Sequence, residues 1–205
     1  WSRREVGILA LILAVAFGLR LAAVLQYENG HPNAAHSSID EASYDGWARA
    51  IAGGEWIGKG VFFQEPLYPY ALGSVYAVFG PHPFVARVFQ CLLWAATAGL
   101  VGILARRLFG RAAGWIAAGA LALYWPGILF PSFLLKENLF LPLLALLALV
   151  LVATREADET ASPRRLWLAA GVLAGLGALL RGNMLVLLPV LAIWPIVRAW
   201  RRRST

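Results

Sequence analysis

Apolar runs long enough to cross a bilayer alternate with short polar segments along almost the whole chain. Residues 6–26 make the first run, 84–104 the second, 112–130 the third (interrupted at Pro126) and 134–153 the fourth. Residues 166–180 make the fifth, and 184–197, with Pro189 and Pro195, the sixth. A hydrocarbon core of about 30 Å takes roughly 20 apolar residues as a helix. Only helices or closed barrels satisfy their backbone in lipid, and these runs lack the alternation of a barrel strand. The pattern predicts an all-α polytopic membrane protein with about six transmembrane helices, residues 1–205 forming a single transmembrane domain. The first run is longer than the apolar core of a signal peptide, so it reads as a retained span. Residues 66–79 are apolar but short, which predicts an interfacial or re-entrant helix.

Between the first two spans, residues 27–83 break the pattern. Ser38-Ile-Asp-Glu41 has the S-x-x-E form of a capping box and predicts a helix starting near Ile39. Tyr44, Trp47, Ala48 and Ile51 then share one stripe, the signature of an amphipathic helix on the membrane surface. Gly53-Gly54 ends it, and Gly80-Pro81-His82-Pro83 breaks the chain before the second span.

Composition agrees with the pattern: 60% of residues are hydrophobic and 14% charged, against about 25% charged in soluble domains. The net charge of +7 is no nucleic-acid signal, because the basic residues sit at span ends. Placing the N-terminus in the cytoplasm puts Arg3, Arg4, Arg106, Arg107, Arg111, Arg155, Arg164, Arg165, Arg198 and Arg201 to Arg203 on that side. These are twelve of the 18 Lys and Arg, as the positive-inside rule asks. Glu28, Asp40, Glu41, Asp45, Glu55, Glu65 and Glu137 then face the exterior. The single Cys91 excludes an intrachain disulfide. The chain opens on Trp1 and stops after a basic run, as the N-terminal part of a longer module would.

Candidate chemistry collects on the exterior side. Asp40 and Glu41 are either helix-capping acids or carboxylates facing a cavity, where one would deprotonate an acceptor hydroxyl or hold a metal. Asp40 and Tyr44 share a helix face. Glu65, with Tyr68 and Tyr70 nearby, is either part of an interfacial aromatic belt or a second carboxylate meeting Asp40, which makes Asp40 and Glu65 the candidates for a divalent metal. Arg87, Lys136 and Arg181 fall at one membrane depth, as snorkelling cations or as a ring for a phosphate. Arg20, late in the first span, either snorkels or faces the acidic loop. His31, His36 and His82 have no metal-ligand spacing.

DEASYDGWARAIAGGEW, FFQEPLYPYALGSVYAVFG, FVARVFQ and ARRLFGRAAGWIAA, followed by LLKENLFLPLLALLALVL and LLRGNMLVLLPVL, resemble the GT-C membrane glycosyltransferases of family 39 type. That group includes protein O-mannosyltransferases and the aminoarabinose transferases that modify lipid A. The resemblance spans residues 6–197. It implies inverting transfer of a sugar from a polyprenyl-phosphate donor to a lipid, glycan or protein acceptor on the exterior face of a plasma (inner) membrane. Asp40 matches the family's first-loop aspartate, its catalytic base or acceptor-orienting residue, Glu41 its neighbour, Glu137 an acid opening the fourth span and Arg181 an arginine closing the fifth. Tyr44, Glu65, Tyr68, Arg87 and Lys136 complete the substrate-binding set. Aminoarabinose transferases carry Glu-Lys before a Pro-Pro pair, that Glu lying near a metal. Here the chain reads Gln64-Glu65-Pro66-Leu67. The rival expectation is a non-enzymatic carrier or flippase of a lipid-linked substrate, which would use the basic ring without an exterior carboxylate.

Overall fold

A computed structural model describes residues 2–30, 39–57, 64–157 and 164–203. Among them there is no strand. The helices are α1 (Arg3–Gly30), α2 (Ile39–Ala52), α3 (Leu67–Phe79), α4 (Pro83–Phe109), α5 (Arg111–Ala122), α6 (Trp125–Leu129), α7 (Glu137–Ala157), α8 (Arg164–Leu180) and α9 (Leu187–Arg203). Helices α1, α4 and α7 are each long and apolar enough to cross a membrane, and α5 with α6 makes a fourth candidate bent by 55°. The protein is an integral helical membrane protein. With 13 residues, or roughly 20 Å, α3 falls short of a crossing, as expected.

Helix α4 is the centre, packed against α1, α5, α7 and α3, while α8 leans on α7 and α2 pairs with α3. Without a hydrophobic driving force between helices in lipid, close approach of small residues does the joining. A Cβ placed on Gly102 would come within 2.8 Å of the Ala118 side chain, and one on Gly114 within 2.7 Å of that of Arg106, so glycine sets the α4–α5 distance. Gly110 turns the chain between these helices at φ +91°, which side chains disfavour. Helix α2 stops at Ala52 as Gly53-Gly54 predicts, with Gly54 at φ +100°. Helix α2 begins at Ile39, where the capping pattern places it; Ser38, His31 and His36 lie outside the described residues.

Three expectations are corrected. The first span runs on to Gly30, into what the pattern assigned to the loop. The third is two helices: α5 ends at Ala122 and Pro126 sits in the first turn of α6, where its missing N–H costs nothing. Arg20 neither snorkels nor meets the acidic loop. It is wholly buried and donates to the carbonyls of Ala16 (2.8 Å), Ala122 (3.0 Å) and Leu121 (2.9 Å), with its guanidinium over the Trp94 ring. A helix that ends inside the protein leaves carbonyls without partners, and an arginine from the neighbouring helix satisfies them.

The two ends of the bundle differ in charge. One gathers Arg106, Arg107 and Arg111 with Glu5 and Glu156. At the other, α2, α3, the start of α7 and the end of α8 bring the acidic residues together.

Candidate active site

The acidic end is built around the segment between α6 and α7. Residues 130–132 form a single 3-10 turn, and the chain from Phe133, which is extended, to Lys136 is not helical before α7 begins at Glu137. Non-helical backbone inside a protein needs partners for its polar groups, and here side chains supply several of them. Gln90 of α4 donates to the carbonyls of Pro131 (2.9 Å) and Phe133 (3.0 Å). Asn138 donates to Phe133 (2.9 Å) and Leu135 (3.0 Å) and accepts from the Trp94 indole (2.8 Å). The Leu134 N–H donates to the Glu41 carboxylate at 2.8 Å. This clamped segment delivers Lys136 and Glu137 to a fixed place.

Asp40 and Glu41, adjacent in sequence, separate on α2. Glu41 turns inward at 3% exposure and holds Leu134. Asp40 is exposed, and its carboxylate accepts from the Gln64 amide at 3.1 Å. The Gln64 carbonyl in turn accepts from the Ser43 hydroxyl at 3.1 Å. The next residue, Glu65, receives the Lys136 ammonium on Oε2 at 2.5 Å and the Gly182 N–H on Oε1 at 3.2 Å. Glu137 pairs more loosely with Arg181, at 3.5 Å, whose guanidinium lies over the Phe140 ring. Gln64 and Glu65 therefore place the Asp40 carboxylate and the Lys136 cation one peptide unit apart in bonding.

Tyr44 lies beneath these groups at 2% exposure, edge-on to Tyr68 with ring centroids 5.0 Å apart. Burial, with the charges of Glu65, Asp40 and Glu137 around it, pushes the Tyr44 phenol up to about 12. It stays protonated, a donor rather than a base. Partial burial pushes the Glu65 carboxyl up, but the Lys136 ammonium and the Gly182 N–H outweigh it and hold the group below the usual glutamate range. Tyr68 is buried and donates to Gln90 at 2.6 Å. It supports the clamp and does not face the outer surface. Arg87 is buried too, paired with Glu28 and set 5.0 Å over the Tyr27 ring. Of the expected basic ring, the structure brings Lys136 and Arg181 to the carboxylates and engages Arg87 elsewhere.

Sequence reasoning missed Gln64, Gln90, Asn138 and the Gly182 N–H. Gln90 and Asn138 carried a signal, because an amide inside an apolar run has to find partners among backbone groups. Gly182 carried none, since its contribution is a backbone N–H. Among the described residues, no group of three His, Cys, Asp or Glu stands ready to hold a metal ion. Asp40 and Glu65 carry Gln64, Lys136 and Gly182 instead, so the described residues do not by themselves make a metal site.

The acidic end of this helical membrane protein thus holds two cations, each paired with a glutamate, and an exposed carboxylate bound to Gln64. Residues 64–205 match the family described as dolichyl-phosphate-mannose-protein mannosyltransferase. The undecaprenyl phosphate-alpha-4-amino-4-deoxy-L-arabinose arabinosyl transferase 1 of Pseudomonas fluorescens (strain Pf0-1) is 31% identical over 163 residues, covering 75% of this chain and 28% of that protein. The chain belongs to the dolichyl-phosphate-mannose-protein mannosyltransferase family. It spans under a third of the length of the curated relative that it matches. No solved structure matches it.

Proposed function

We propose that this chain carries the catalytic region of an enzyme that transfers a sugar from a polyprenyl-phosphate donor, with inversion, to an acceptor hydroxyl at the exterior face of the plasma (inner) membrane. In this topology the N-terminus is cytoplasmic, the spans are α1, α4, the bent α5–α6 pair, α7, α8 and α9, and α2 and α3 lie on the exterior surface. The twelve arginines gathered on the opposite side support that orientation.

The observation that carries the reading is the Gln64–Glu65 bridge, whose two adjacent residues bond an exposed carboxylate, Asp40, and a cation, Lys136. Inverting transfer needs those two elements together. The acceptor oxygen attacks the anomeric carbon and its proton passes to the Asp40 carboxylate. The bond from that carbon to the donor phosphate oxygen breaks, and the electron pair leaves with the polyprenyl phosphate. Lys136 and Arg181 stabilise the phosphate charge that develops. Gln64 orients Asp40, and the buried Tyr44 phenol forms the floor. Glu41 and Tyr68 act through position: they fix the segment that carries Lys136 and Glu137.

The test is transfer of labelled sugar from polyprenyl phosphate by the purified full-length protein, with and without Asp40→Asn. A folded variant that still binds donor and has lost transfer by about 10²–10⁴-fold, the usual worth of a positioned base, is the expected result. Unchanged transfer removes Asp40 from the mechanism. Donor binding with no transfer by the wild type, for any acceptor, moves the assignment to a carrier.

A further inference from the structure

The groups around Glu65 have the chemistry of an anion site that already holds an anion. Lys136 offers an ammonium at 2.5 Å to one carboxylate oxygen, and Gly182 offers a backbone N–H at 3.2 Å to the other. Arg181, the residue before Gly182, carries a guanidinium paired with Glu137, the residue after Lys136. Two donors on two oxygens of one planar group match what the phosphodiester of a polyprenyl-phosphate sugar presents with its two non-bridging oxygens.

Three further observations indicate that the carboxylate is replaceable. The Glu65 side chain is 30% exposed and that of Lys136 21%, so a ligand can reach both from water. Glu65 precedes Pro66 and lies outside α3, which starts at Leu67, so its side chain can swing away without unwinding a helix. The charges also balance: Lys136 and Arg181 against Glu65 and Glu137 sum to zero, and withdrawing Glu65 leaves one positive charge to meet the phosphate. Arg181 is held at 3.5 Å by Glu137, a loose contact that permits a turn toward the same ligand.

We infer that Glu65 is an internal occupant of a phosphate site formed by Lys136, the Gly182 N–H and Arg181, and that the phosphate of a polyprenyl-phosphate donor must displace it to bind. This rests on the glycosyltransferase reading for the identity of the ligand. It adds that the site is closed at rest and opens by exchange of one anion for another. Displacement frees the Glu65 carboxylate beside Gln64, whose amide orients Asp40. Occupancy of the phosphate site is thus coupled to the setting of the base.

The experiment measures binding of undecaprenyl phosphate and, separately, of inorganic phosphate to the full-length protein in nanodiscs, with thermal stability recorded for each variant. Removing an occupant that fills the site about nine-tenths of the time tightens apparent affinity about 10-fold. Glu65→Gln should therefore bind undecaprenyl phosphate about 10-fold more tightly, and Lys136→Met more weakly than wild type. Glu65→Asp, too short to reach both donors, should tighten binding in the same direction and serves if the glutamine variant does not fold. Tightening with the lipid alone assigns the site to lipid head groups; tightening with both probes assigns it to phosphates at large. If folded Glu65 variants bind no more tightly while Lys136→Met is impaired, Glu65 is a structural clasp and the displacement proposal fails, although the phosphate site stands. If Lys136→Met binds as wild type does, the phosphate reading itself fails.

Discussion

The same four-residue pattern opens two helices at opposite ends of the bundle. Ser2-Arg-Arg-Glu5 starts α1 and Ser38-Ile-Asp-Glu41 precedes the start of α2. In both, the glutamate is buried, at 5% and 3% exposure. Glu5 closes a capping box with Ser2, accepting from the Ser2 N–H at 2.8 Å while its own N–H donates to the Ser2 hydroxyl. Its other oxygen takes both Arg106 and Arg111 at 2.9 Å. Glu41 accepts from the Leu134 N–H, 93 residues away in sequence. Each acid ties a helix start to a distant part of the bundle. At the arginine-rich end the tie fastens α1 to the joint between α4 and α5. At the acidic end it fastens the segment that presents Lys136 and Glu137. The same sequence pattern therefore fastens different things at the two ends: a helix joint at one, and at the other the segment that carries Lys136 and Glu137.

The largest expected effect separates Glu41 from Asp40, its neighbour. Where Asp40→Asn removes transfer and leaves the fold intact, Glu41→Ala should lower unfolding stability by about 1–3 kcal/mol, the cost of leaving the Leu134 N–H buried without a partner. It should also weaken polyprenyl-phosphate binding, since Lys136 loses its fixed place, and Glu41→Gln should restore part of both. Parallel denaturation and transfer assays on the variants decide the matter: a stable Glu41→Ala protein with normal affinity would break the assignment of Glu41 to positioning.

At the opposite end, Glu5→Gln should reduce thermal stability, because two arginines lose their shared carboxylate, while undecaprenyl-phosphate affinity stays at the wild-type value. A fall in affinity matching the fall in stability would show that the two ends are coupled through α4 and that the contrast is too sharp.

The smallest effect is that of pH on Glu65. Its folded-state pKa is held below the ordinary value near 4.5, so its ion pair contributes stability that is fully present above that value and is lost as pH falls through the lowered one. The difference in thermal stability between wild type and Glu65→Gln should therefore be constant from neutral pH down to about 5 and shrink on further acidification. A difference that grows in acid would reverse the sign and dissociate Glu65 from Lys136.

Much of this architecture was legible in the residues. The positions of α1, α4 and α7, the short α3, the start of α2 at Ile39 and its stop before Gly53-Gly54 follow from hydropathy, capping and glycine, all of which act within a few residues. The acidic character of one end and the basic character of the other were legible for the same reason. The partners were not. Nothing local distinguishes Asp40 from Glu41, yet one faces water and the other fixes Leu134. Nor does anything local divide Arg87 from Lys136, although Arg87 is buried against Glu28 and Tyr27. Arg20 could be placed in a span but not on the carbonyl end of α5, because that end exists only where the third span breaks.

By itself, then, the sequence determined a helical membrane protein, where its helices start and stop, and which residues carry charge, because burial in lipid and backbone hydrogen bonding constrain each segment independently of its neighbours. Only the tertiary structure decided which acid meets which base, since a pairing between residues 65 and 136, or between 65 and 182, depends on helix packing and on the clamps of Gln90 and Asn138. The bridge from Asp40 through Gln64 and Glu65 to Lys136 belongs to that second class, and it is the feature on which the proposed chemistry depends.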